Sequence, residues 1–210
     1  IISFVEGAAV MIIELLGAKI VAPFYGTSMY VWSSVLGVTL IALSGGYFIG
    51  GSVSNKYKDK SPLFAILAVG AIFTIIAPRI APAIMMATAD FGVRIGSLIS
   101  VSVYLLPPIF CMGMVSPIII QLINQSKENA GQTAGTIYAL STVGGILATF
   151  LAGFVLIPEL GIRTTATFTG AVLIVISAVG MLSYKQKTQA VLTFGFFVFS
   201  ILLLYFSFFL

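Results

Sequence analysis

Histidine is absent from the 210-residue sequence and cysteine occurs once, at Cys111. Those two gaps remove a disulfide framework, a Cys/His metal site and imidazole acid–base chemistry together. Serine and threonine do not fill the gap, because no histidine, lysine or aspartate is spaced to activate a hydroxyl. Glycines are plentiful, but none forms a phosphate-cradling loop after a strand, which excludes nucleotide binding of the Rossmann or P-loop kind. Charge is scarce as well: 8% of residues are charged, against roughly 25% in soluble domains. The net charge of +4 is not gathered on one face, as a nucleic-acid surface requires. The sequence therefore predicts no catalytic residue, no metal ligand, no cofactor held by this chain and no nucleic-acid partner.

Long apolar runs are what the chain has instead. Apolar residues make up 60% of it, with a mean hydropathy of +1.17. Peptide groups in a bilayer core find no water, so only helix bundles or closed barrels cross it. Runs of about 20 residues are helix-length, whereas barrel strands need roughly 10 of alternating pattern. The expected fold is all-α: a polytopic transmembrane bundle of about seven spanning helices, forming one domain over residues 1–210 without a soluble catalytic part. Helices are predicted at 1–22, 29–54, 61–78, 95–124, 133–157, 164–183 and 189–209. Pro107, Pro108 and Pro117 predict kinks in the fourth. The stretch from Pro78 to Arg94, broken by Pro82, Asp90 and Gly92, reads as a short interfacial or re-entrant piece.

Orientation follows from the short loops that collect Lys and Arg. Lys56, Lys58, Lys60, Lys127, Lys185 and Lys187 fall in three connections on one side, predicted cytoplasmic together with the N-terminus. Arg79, Arg94 and Arg163 fall on the other side and weaken the asymmetry. The expected location is a multi-pass protein of a prokaryotic inner or plasma membrane, with the lipid bilayer as its first partner.

Two carboxylates stand inside the first apolar run. A charge at mid-bilayer costs ~3 kcal/mol or more unless it faces the bundle interior or water, which makes Glu14 the leading candidate for binding or translocating a ligand. The competing reading is structural, with Glu14 pairing with Lys19 or with polar groups of other helices. Glu6 lies eight residues earlier and about 80° around the helix, so both carboxylates are expected to face one cavity. Tyr25, Tyr30 and Trp32 follow in an outer turn. They fit an aromatic belt, or alternatively a cation–π pocket with Glu14. Tyr138 and Ser141 add polar groups on the fifth helix. Gly46 with Gly50, and Gly144 with Gly145, let helix backbones approach closely, either within the chain or across a homodimer.

Three blocks carry a resemblance to a known family: ELLGAKIVAPFYGTSMYVWSSVLGVTLIALSGGYFIGG (Glu14 to Gly51), PPIFCMGMVSPIIIQLI (Pro107 to Ile123) and AGTIYALSTVGGILATFLAGFVLIPELGIRTT (Ala134 to Thr165). They resemble the membrane domain of the fused, major-facilitator-like spermidine synthase-like proteins. Members join such a bundle to a soluble aminopropyltransferase-like domain that binds decarboxylated S-adenosylmethionine and putrescine. The family's catalytic residues have no counterpart in these blocks. What the resemblance implies here is shared architecture at Glu14, Lys19, Pro23, Gly26, Trp32, Tyr138, Ser141 and Thr142. It also implies a small cationic metabolite such as a polyamine, bound, sensed or moved. The alternatives are a passive anchor for a synthase-like or other partner, and a homodimeric half-size transporter.

Overall fold

The computed structural model describes residues 1–57, 60–124 and 130–183. The predicted seventh helix at 189–209 and most of the basic loops lie outside the described residues. Among those described there are six helical rods and no strand: α1 Ile2–Tyr25, α2 Met29–Lys56, α3 Ser61–Thr88, α4 Gly92–Ile123, α5 Ala130–Leu151 and α6 Gly161–Ser183. A 3-10 turn, Ala89–Phe91, joins α3 to α4, and a π-helical segment, Ala152–Leu160, joins α5 to α6. Helical backbone therefore runs without a coil break over Ser61–Ile123 and over Ala130–Ser183. These two stretches and Met29–Lys56 are long and apolar enough to cross a membrane; α1, which carries Glu6, Glu14 and Lys19, is not among them.

The expected count of about seven spans is thus not supported. One physical reason lies at Pro78 to Arg94, which is not a separate short piece: most of it continues α3 and its end opens α4. α3 continues through Pro78 and Pro82 to Thr88, because proline removes one hydrogen bond without obliging a well-packed apolar helix to stop. Ala81 and Met85 are fully buried beyond it. The reversal comes at Gly92, whose φ of 71° is open to glycine at no steric cost. Gly161, at φ 78°, makes the second such break, before α6. α4 likewise runs unbroken through Pro107, Pro108 and Pro117.

α1 is the central rod and touches each of the other five. Around it α2 packs on α4, α4 on α3 and α3 on α6, while α5 packs chiefly on α1. Small residues set these contacts. A Cβ on Gly46 would stand 2.5 Å from the Phe110 carbonyl oxygen, and one on Gly50 2.6 Å from that of Met114. That glycine pair is therefore buried within the chain, between α2 and α4.

Buried hydroxyls tie the rods at both ends. Tyr25 Oη lies 2.7 Å from Thr88 Oγ1, Ser177 Oγ donates to the Phe64 carbonyl at 2.6 Å, and Tyr104 Oη donates to the Gly17 carbonyl at 2.8 Å. The Tyr104 bond joins α4 to α1 at the middle of the bundle. Tyr104→Phe keeps the ring and deletes only that bond, so a loss of about 0.5–1 kcal/mol is expected in a denaturant titration of the solubilised protein. A loss of 3 kcal/mol or more would mean that the ring itself had repacked.

Candidate functional site

The α1–α5 contact builds the site. Along α5 the residues that meet α1 include the small Ser141, Gly144 and Gly145. On α1 the matching position is Gly7. A Cβ there would collide with the Ser141 carbonyl oxygen, and a Cβ on Gly144 with the Phe4 carbonyl oxygen. Backbone therefore lies on backbone, and this closeness carries the Ser141 side chain to Glu6. Ser141 Oγ donates to Glu6 Oε2 at 3.0 Å, and Ser116 Oγ, from α4, donates to the same oxygen at 3.2 Å.

Glu6 is 2% exposed. It has no ion-pair partner among the described residues, and the two neutral hydroxyls are its only hydrogen-bond donors there. Beside it opens a cleft of about 290 Å³ between α1, α2 and α5, walled by Met11, Leu43, Tyr47, Thr142 and Ile146 among others. Tyr47 meets Tyr138 edge to face, with ring centroids 6.2 Å apart. A carboxylate at the base of a small, mostly apolar cleft with aromatic rings alongside suits a compact organic cation.

The remaining predicted site residues are scattered. Glu14 is half-buried and has no hydrogen-bond or ion-pair partner among the described residues, so it does not pair with Lys19. The cleft's wall on α1 ends at Met11, and the eight residues from Glu6 to Glu14 span about 12 Å of rise. The two carboxylates accordingly do not share this cleft. Tyr30 is exposed and engages Arg94, whose guanidinium donates to its hydroxyl at 2.7 Å and lies 4.5 Å from its ring centroid. Trp32 is exposed, while Tyr25 is buried on Met85 and Thr88. Tyr30 and Tyr25 are thus engaged by Arg94 and Thr88 rather than by Glu14. Lys19 is exposed at a different cavity.

Two residues of the site escaped the sequence reading. Ser116 was hidden in an apolar run ahead of Pro117, and Tyr47 stood among the glycines of α2. The usable signal for each was a polar group inside a span-length helix, which needs an explanation wherever water is excluded.

Comparison of the chain with protein-family models, with curated proteins and with solved structures finds no match in any of the three.

Proposed function

We propose that this chain is a multi-pass membrane protein whose Glu6 cleft binds a small organic cation, with a polyamine as the leading candidate. The observation that carries the reading is the near-complete burial of Glu6 with hydroxyl donors but no cation among the described residues. A buried carboxylate is costly without a counter-charge, and a ligand amine would supply one. The cleft, at about 290 Å³, stands at the small end of ligand sites. Tyr47 offers a ring for cation–π contact. The resemblance of three sequence blocks to the membrane domain of spermidine synthase-like proteins favours the same ligand class.

The test is a thermal-shift titration of the solubilised protein with putrescine, spermidine and uncharged 1,4-butanediol. Spermidine or putrescine is expected to raise the melting temperature and butanediol to leave it unchanged. Glu6→Gln, an isosteric change, is expected to weaken amine binding about tenfold or more, in line with a charged hydrogen bond worth ~1.5–3 kcal/mol. Glu14→Gln should bind as the unchanged protein does. If no amine stabilises the protein, or if the Glu6 variant binds equally well, the passive-anchor reading takes its place. Uptake of labelled amine into proteoliposomes then separates transport from binding alone.

A further inference from the structure

A second cavity, of about 180 Å³, opens far from the Glu6 cleft. Its charged lining residues are Lys19 of α1 and Arg163 in the first turn of α6, set among Pro23, Phe24, Pro78 and Pro82. Arg79 of α3 stands beside it. Its guanidinium donates to the Ile75 carbonyl and, at 3.2 Å, to Thr167 Oγ1 of α6, and lies close enough to Arg163 for the two to repel. Two cations from separate helices thus line one apolar-walled cavity, and a third from α3 stands beside it.

No acid among the described residues forms an ion pair with them. Glu159, the acidic residue nearest to Arg163 in sequence, makes no ion pair among the described residues, and neither does Glu14 on α1. Lys19 and Arg163 are exposed, and like charges held close together raise the energy of the fold unless something negative sits between them. The α6 N-terminus adds a partial positive charge of the same sign. Two facts thereby meet: a space, and an uncompensated charge around it. The apolar walls add a third requirement, that the anion be attached to an apolar body or be small enough to leave the walls dry.

We infer that the Lys19–Arg79–Arg163 cavity is a binding site for an oxyanion, phosphate or carboxylate, carried by a lipid headgroup or by a soluble ligand. Lys19 and Arg163 contact the ligand, and Arg79 contributes field from behind Arg163. The inference does not rest on the Glu6 cleft, from which it is separated by much of the length of α1. It also gives the outer arginines a role other than topology: Arg79 and Arg163 belong to a site.

The experiment uses the delipidated, detergent-solubilised chain. Native mass spectrometry follows titration with dioleoyl phosphatidylglycerol and, separately, dioleoyl phosphatidylcholine; calorimetry follows inorganic phosphate. Phosphatidylglycerol is expected to bind at least about tenfold more tightly than the net-neutral lipid. K19Q and R163Q should each weaken it about tenfold, R163K should retain most of it, and E6Q should leave it unchanged. Inorganic phosphate binding that K19Q and R163Q weaken would equally support the site and assign it to a soluble ligand. Equal affinity for the two lipids with no phosphate binding would overturn the inference. So would phosphatidylglycerol and phosphate affinities that neither K19Q nor R163Q changes.

Discussion

Gly144→Val is expected to destabilise the bundle by about 3 kcal/mol or more and to abolish ligand binding in the Glu6 cleft. A Cβ at this position collides with the Phe4 carbonyl oxygen, a backbone atom that no rotamer change can move. Inserting atoms into a packed interior usually costs ~1–3 kcal/mol when side chains can yield. Here the only relief is to separate α5 from α1. Such separation takes Ser141 away from Glu6 and opens the cleft wall. Stability and binding should therefore fail together. Gly135→Val, on the same helix, is the matched control, since a Cβ there meets nothing within 4 Å. It bears the same cost of placing valine in a helix without the collision. Thermal unfolding of both variants decides the point. Equal melting temperatures would mean that α5 does not lie on α1 in the way described.

The same contact shows how far the sequence could be read. Runs of apolar residues between prolines, glycines and charges placed all six helix starts within three residues, with those of α2 at Met29 and α3 at Ser61 matching. Those starts rest on local chemistry. The failure at Pro78 to Arg94 has the opposite origin. Proline, aspartate and glycine in that stretch argue locally for a break, but the burial of Ala81 and Met85 and the bonds of Thr88 to Tyr25 and Ser100 hold the helix on to Thr88. Tertiary packing overrode a local signal.

Both carboxylates of α1 stood out in the sequence, and Glu14 ranked above Glu6 because depth along the run was the only available measure. Depth along one helix does not report what the neighbouring helices bring. Ser116 lies 110 residues from Glu6 and Ser141 lies 135 away, and no spacing rule joins them. The small-residue stretch Ser141 to Gly145 did signal close packing. Its partner, Gly7, could not be named without the fold. The cationic cavity was divided in the same way: Lys19 looked like a snorkelling side chain, and Arg79 and Arg163 like topology markers, until the fold set Lys19 and Arg163 on one cavity with Arg79 beside it.

The charge state of Glu6 is open to a thermodynamic cycle, in which a large coupling appears only if Glu6 is ionised. Replacing both Ser116 and Ser141 by alanine removes the two donors to Glu6 Oε2 while barely changing the packed volume. If Glu6 is ionised, two hydrogen bonds to a charge are lost, each worth ~1.5–3 kcal/mol, whereas bonds to a neutral group are worth ~0.5–1.5 kcal/mol. The double substitution should then cost about 3–6 kcal/mol with Glu6 present, and about 1–3 kcal/mol in a Glu6→Gln background, where the same hydroxyls face an amide. The difference, a coupling of about 2–3 kcal/mol, lies well above the ~0.5 kcal/mol to which independent sites add. Unfolding of the four proteins in one detergent measures it. An additive cycle would show that Glu6 carries no charge in the empty cleft. Attraction of an amine would then have to begin with loss of a proton from Glu6, and amine binding would release a proton to the buffer. A coupling of that size would lead the other way: the hydroxyls would hold a standing negative charge, and the cation that completes it would arrive without proton exchange.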